Sequence, residues 1–226
     1  TERLDSREEA EALLAQLQSG ATYTVTLDQS SEIQLADNLT DTFRPAAGGT
    51  FTDVPATHWA AGAVAFVSSQ GLLQGISADT FAPGQPMTRA MLVTALWREA
   101  GSPVVNYAMD FDDVDEDQWY TEAVRWAASE GIVTGTGKGF SPDAALTRES
   151  LAAILFRYAG GQADADQLGS YADGAGVSAW AREAMNWAVA QGLITGKSGG
   201  RLDPGSTASR AEVSAILMRY VQSAQA

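Results

Sequence analysis

Apolar positions recur at helical spacing along most of this chain. Trp119, Ala123, Trp126 and Ala127 fall at i, i+4, i+7 and i+8, one stripe of a helix. The stripe returns as Trp180, Ala184, Trp187 and Ala188, and it occurs earlier as Trp59, Ala63, Phe66 and Val67. Two residues before each leading Trp stands a good N-cap: Thr57, Asp117 or Ser178. Twelve residues after each Trp comes Gly71, Gly131 or Gly192, which reads as a left-handed residue ending the helix. A polar loop rich in Gly, Asp and Pro comes next. A second helix is then predicted from Thr88-Arg89, Thr147-Arg148 and Ser209-Arg210, with Leu151, Ala152, Leu155 and Phe156 as its stripe in the middle copy. Met87 with Leu92 and Leu146 with Leu151 have hydrophobic-staple spacing, and Ala208 with Val213 is a weaker version. Ser209 with Glu212 makes a capping box; Met91 and Ser150 stand where the other two copies would carry the acid.

The pattern is a repeat. Phe51-Thr52-Asp53-Val54 returns after 60 residues as Phe111-Asp112-Asp113-Val114, and loosely after another 60 as Tyr171-Ala172-Asp173-Gly174. Gly75, Gly135 and Gly196 keep a fixed place, and Phe81, Phe140 and Leu202 come next, each followed two residues later by Pro83, Pro142 or Pro204. One helix-loop-helix unit cannot bury its stripe alone, whereas three together can. The repeats are expected at 51–108, 109–168 and 169–226.

Residues 1–50 differ. Ser6 and Glu9 fit a capping box, with Leu13, Leu14 and Leu17 at helical spacing and Gly20 as a stop. Tyr23, Val25 and Leu27 alternate as in a strand, and Ile33 with Leu35 suggests a second. The segment is too small to bury much. It reads as the tail of a preceding domain, or as an element packing on the repeats, ending in a linker at 44–50. The chain opens on Thr rather than Met, so a mature or trimmed fragment is expected.

Composition narrows the chemistry. Apolar residues make up 45% of the 226, enough for a core, but no run approaches the length of a membrane span. The formal net charge of −14 argues against nucleic acid and against an anionic membrane surface. An anionic ligand would have to rely on local cations and N–H groups. There is no cysteine, so disulfides and thiolate metal sites are excluded.

The feature that capping does not explain is the Arg directly after each cap. A cation in the first turn opposes the helix dipole by about 0.3–1 kcal/mol. Arg89, Arg148 and Arg210 all sit there, and an anion at three helix N-termini would account for them. The alternative is a surface ion pair or a solvated face. Lys138 and Lys197 lie in the loops of the second and third repeats and add positive charge. The first repeat has no Lys in its loop, so its groove is expected to bind more weakly. Trp59, Trp119 and Trp180 are read either as core or as rim rings on which a sugar stacks. Asp53, Asp113 and Asp173 either bond backbone amides as turn residues or touch ligand. Gly75, Gly135 and Gly196 are expected to take positive φ and to let a ligand near the backbone. Trp126 and Trp187 are read as core.

No motif supports catalysis, a cofactor or a metal. Asp113, Asp115 and Asp117 open like a calcium loop, but Gln118 and Val124 fill the places that need Gly and Glu. His58 is the only histidine, and Lys138 with its glycines is not a phosphate-binding loop.

Together the residues resemble the S-layer homology family. Phe111-Asp112-Asp113-Val114, Trp119, Gly131-Ile132-Val133-Thr134-Gly135, Gly139-Phe140-Ser141-Pro142 and Thr147-Arg148-Glu149-Ser150 carry the likeness, over residues 51–226. The resemblance implies a mainly α fold, with three helix-loop-helix repeats in one pseudo-threefold bundle. It implies a secreted protein of a bacterial surface, held noncovalently by pyruvylated secondary cell-wall polysaccharide in grooves between repeats, with the Arg contacting ligand. The missing acids at Met91 and Ser150, and Leu202 in place of Phe, suggest unequal grooves. A cargo domain N-terminal to residue 1 is expected. The rival readings are a surface self-assembly module without direct glycan binding, and a piece of an enzyme whose activity lies elsewhere.

Overall fold

The computed structural model describes residues 51–135, 137, 139–162 and 165–224. The chain divides into two compact units, Thr1–Phe43 and Arg44–Ala226, and the described residues lie in the second. The helix expected after Ser6, the strands expected at 23–27 and 33–35, and the linker at 44–50 lie outside the described residues.

Six α-helices come in pairs among the described residues. They are α1 (Ala61–Ser69) with α2 (Arg89–Glu99), α3 (Thr121–Ser129) with α4 (Arg148–Tyr158), and α5 (Arg182–Ala190) with α6 (Arg210–Ala224). Short 3-10 turns at Leu168–Ser170, Gly174–Gly176 and Ala179–Ala181 precede α5. The fold is mainly α, as the periodicity and the resemblance require.

Both ends of the loop between paired helices are fixed locally. Gly71, Gly131 and Gly192 have φ of 69°, 68° and 67°. At each, the next residue's N–H reaches back to close the last turn: Leu72 to the Val67 carbonyl at 2.8 Å, Ile132 to Ala127 at 2.8 Å and Leu193 to Ala188 at 2.9 Å. At the other end, Thr88, Thr147 and Ser209 accept the N–H of Met91, Ser150 and Glu212. The staple residues Met87, Leu92, Leu146, Leu151, Ala208 and Val213 are all fully buried.

The first helices start later than the sequence suggested. Thr57, Asp117 and Ser178 cap nothing, and α1, α3 and α5 begin at Ala61, Thr121 and Arg182, without side-chain caps. The chain makes a turn around each leading Trp before the helix forms. Ser178 instead gives its N–H and hydroxyl to buried Glu149 of the preceding repeat, at 3.0 and 2.9 Å. The inward stripe accordingly drops the Trp and takes the next residue over: Ala63, Val64 and Val67; Ala123, Val124 and Ala127; Ala184, Met185 and Ala188. Trp126 and Trp187 are buried with it.

The repeats close into a ring. α3 packs on α2, α5 on α4, and α1 on α6, so each first helix lies on the second helix of the repeat before it. On the axis, Met87 donates its N–H to Ala208, Ala208 to Leu146, and Leu146 to Met87, at 2.9, 2.8 and 2.8 Å. This cycle fixes the pseudo-threefold arrangement with one backbone bond from each repeat.

Candidate functional site

The sequence-based reading required open N–H groups beside the three arginines. The structure corrects this. The first two N–H groups of each second helix are taken by the loop of the neighbouring repeat. Arg89 and Ala90 donate to Ala144 and Pro142, Arg148 and Glu149 to Ser206 and Pro204, and Arg210 and Ala211 to Gln85 and Pro83, at 2.9–3.1 Å. The third N–H belongs to the cap. These donors serve the ring and not a ligand.

The guanidinium groups also hold repeats together. Arg89 donates from Nε to the Phe140 carbonyl at 2.9 Å and from Nη2 to Thr134 at 3.3 Å. Arg148 does the same to Leu202 at 2.7 Å and Thr195 at 3.2 Å. Arg210 does it to Phe81 at 2.8 Å and to Gln74. Arg148 and Arg210 are only 4% exposed. Arg89 also lies over the Phe140 ring at 4.8 Å and Arg210 over Phe81 at 4.4 Å, while Leu202 offers Arg148 no ring. The cost of a first-turn cation is thereby offset by two carbonyls on a neighbour. Burial is the largest influence on all three, and it lowers their pKa from the usual arginine value.

Nε and Nη2 are spent, but Nη1 is not always. In Arg148 it faces the Glu212 carboxylate, with Nη1 3.5 Å from Oε1. Lys197 Nζ reaches the same oxygen at 2.9 Å. The other oxygen of Glu212 accepts the Ser209 N–H at 2.9 Å, completing the capping box. Burial works to raise the Glu212 carboxyl, but the Ser209 N–H, Lys197 and Arg148 outweigh it and hold it below the usual range.

These groups line an open cleft of about 140 Å³. Arg148 comes from the second repeat, Thr195, Gly196, Lys197, Glu212 and Arg219 from the third, and Trp59 from the first. At this size the cleft holds one sugar ring or a small acidic group, well short of the 300–1,000 Å³ of a drug-sized site.

Trp59, Trp119 and Trp180 are 66%, 54% and 59% exposed, which overturns the core reading for them, and Trp59 lines the cleft. The aspartates are structural in the manner of the turn-residue alternative. Asp53 accepts the N–H groups of Phe81 and Ala82, Asp113 those of Phe140 and Ser141, and Asp173 those of Leu202 and Asp203. Ala82, Ser141 and Asp203 have φ of 58°, 60° and 48°, so each carboxylate clamps a residue held in the left-handed region.

Gly75, Gly135 and Gly196 are not at positive φ, which corrects the conformational reading. They are needed for space. A Cβ would stand 2.6 Å from Cε1 of Phe51, 2.9 Å from Cε1 of Phe111 and 2.7 Å from Cε1 of Tyr171, the aromatic that opens each repeat. Lys138 lies outside the described residues.

Sequence reasoning missed Arg98, Arg157 and Arg219. Each donates from Nη1 to the carbonyl just past the first helix of its own repeat: Leu72, Ile132 and Leu193, at 3.5, 3.5 and 2.9 Å. The signal was present, since each follows the first Arg by nine residues.

A family model described as the S-layer homology domain matches residues 50–90, 110–152 and 170–214. Among relatives, the "S-layer protein sap" of Bacillus anthracis is 28% identical over 182 residues, covering 77% of this chain and 21% of that protein. The "Amylopullulanase" of Thermoanaerobacterium thermosulfurigenes is 28% identical over 172 residues, 74% of this chain and 9% of that protein. The "Exoglucanase XynX" of Acetivibrio thermocellus is 27% identical over 172 residues, 74% of this chain and 16% of that protein. The chain therefore spans about a fifth or less of the length of these relatives.

Proposed function

Because the chain belongs to the S-layer homology domain family, we propose that residues 51–224 form a noncovalent cell-wall anchoring module whose inter-repeat grooves bind a pyruvylated secondary cell-wall polysaccharide. The observation that carries this reading is the convergence of Arg148 and Lys197 on one carboxylate oxygen, in a cleft rimmed by the exposed ring of Trp59. A pyruvate ketal on a sugar presents a carboxylate beside a pyranose face. Guanidinium and ammonium suit the first, and an indole suits the second. The acidic chain as a whole offers no long-range attraction, so recognition rests on these local groups.

The module carries no catalytic step in this reading. It works outside the cell, on a bacterial surface, and holds whatever the rest of the protein supplies. Relatives named as an S-layer protein, an amylopullulanase and an exoglucanase match this chain over about a fifth or less of their own length, which supports an anchor that serves unrelated cargo. Several grooves on one rigid ring add avidity along a polymer. The test is sedimentation with purified walls. Intact walls should retain the protein, and walls stripped of their nonpeptidoglycan polymer should release it. Equal retention by both favours self-assembly or another wall component over the polysaccharide.

A further inference from the structure

The third-repeat cleft already contains a carboxylate. Glu212 Oε1 sits where the two groove cations meet, 2.9 Å from Lys197 and 3.5 Å from Arg148. The first repeat builds its corresponding groove differently. Ile76 stands in the place of Lys197, with its N–H bonded to Thr80 as that of Lys197 is bonded to Arg201. Met91 stands in the place of Glu212, with its N–H on the same cap oxygen. Arg210 enters from the third repeat through the same two carbonyl contacts that Arg148 makes. By the packing of α3 on α2, Trp119 takes the rim place that Trp59 holds on the third-repeat cleft.

We infer that Glu212 is a built-in competitor for the ligand carboxylate in the third-repeat groove, and that the first-repeat groove, which lacks this acid, binds the acidic glycan more tightly. This deepens the proposed function and rests on it. The lysine and the acid are lost together in the first repeat, so the two grooves differ less in net charge than the missing lysine suggests. They differ in whether a ligand carboxylate meets a guanidinium held by carbonyls or must displace the Glu212 ion pair. The Asp53 carboxylate acts on the Arg210 guanidinium through its charge, but Met91 gives Arg210 no counterpart of Glu212, which in the third repeat contacts both cations. Ile76 is 59% exposed and Met91 half-buried, so this groove also presents apolar surface to the methyl group that a pyruvate ketal carries beside its carboxylate.

Each groove has its own reporter, because Trp119 and Trp59 carry separate indole N–H signals. The experiment is a nuclear magnetic resonance titration of the full chain with a pyruvylated disaccharide, in the wild type and in Glu212→Gln. Gln retains the capping-box acceptor for the Ser209 N–H, so the variant keeps its fold, as a thermal melt would verify. In the wild type the Trp119 signal should shift at lower ligand concentration than the Trp59 signal. In Glu212→Gln the Trp59 midpoint should fall about tenfold, for one charge-assisted contact freed, with Trp119 unchanged. An unchanged or weakened Trp59 response in a folded Glu212→Gln variant overturns the competitor role. Equal wild-type midpoints overturn the ranking of the grooves. If neither protein responds to the disaccharide, the polysaccharide reading fails and this inference fails with it; a response without the Glu212 effect removes this inference alone.

Discussion

Arg148 donates its Nε–H to the backbone carbonyl of Leu202 at 2.7 Å, joining the second repeat to the loop of the third. Arg210 makes the equivalent bond to Phe81 and so ties the last repeat to the first. The arginines proposed to meet ligand therefore also tie the ring together. Arg148→Ala should lose both, destabilising the fold by about 2–4 kcal/mol because two carbonyls lose charged donors. Urea unfolding measures this. A change below about 0.5 kcal/mol would show that the staple contributes little. Any binding loss in this variant has to be read after correcting for the unfolded fraction.

The three glycines packed under the opening aromatics should not tolerate alanine. In Gly75 the added Cβ meets two backbone carbonyls, at 2.4 and 2.7 Å, as well as the Phe51 ring, so the loop itself has to move. In Gly196 the closest obstacle is the Tyr171 ring at 2.7 Å, which can yield. Each substitution should cost about 1–3 kcal/mol, with Gly75→Ala the worst. Thermal melts of the two variants give the order. Equal, negligible losses would return these positions to the ligand-access reading.

Acid should loosen the loops before the helices. Burial tends to raise the Asp53 carboxyl, but the N–H groups of Phe81 and Ala82 outweigh it and hold it below the usual range. Asp173 is held down in the same way, against burial, by the N–H groups of Leu202 and Asp203, with help from Arg201. A depressed folded-state value contributes stability that is present above the unfolded value near pH 4 and is lost as pH falls through the folded one. The melting temperature should therefore drop below about pH 4. Asp53→Asn, with one acceptor in place of two, should be less stable at pH 7 by about 1–2 kcal/mol and flatter in acid. A variant as acid-sensitive as the parent would assign the transition to other carboxylates.

Glu99 should behave in the opposite sense. It accepts the Tyr158 hydroxyl between the ends of α2 and α4, and burial holds its carboxyl above the usual range. A raised value favours the protonated folded form, so this contribution is present at low pH and declines as pH rises through the shifted value. Glu99→Gln keeps an acceptor for Tyr158 without the charge. It should raise the melting temperature at pH 7 and remove this part of the pH profile. A lower melting temperature at pH 7 would show that the charged form is the favoured partner of Tyr158.

What the sequence made legible was what short segments decide. At the end of α3 the Gly131 N–H reaches three residues back and the Ile132 N–H five back, and Thr147 caps α4 through a residue three ahead. Repetition then supplied the ring, since one unit leaves its stripe uncovered. The role of Arg148 was not legible because its acceptor lies 54 residues away, and that of Arg210 because its acceptor lies 129 away. Seen locally, both offered only an unexplained cation at a helix start. Gly196 was misread for the same reason: it looked like a backbone conformation, while its cause is the Tyr171 ring in another segment. Trp180 and Trp187 fall on one helical stripe in the sequence, yet one is exposed and one buried, because α5 starts only after the first of them.

The recognition proposed for the groove cations turns on a carboxylate presented by a sugar. Calorimetry of the full chain against a pyruvylated disaccharide, and against the same disaccharide with the ketal removed, tests that most directly. Binding should be measurable for the first and should weaken at least tenfold for the second, since the carboxylate proposed to meet the groove cations is gone. Equal affinity for the two sugars would contradict it.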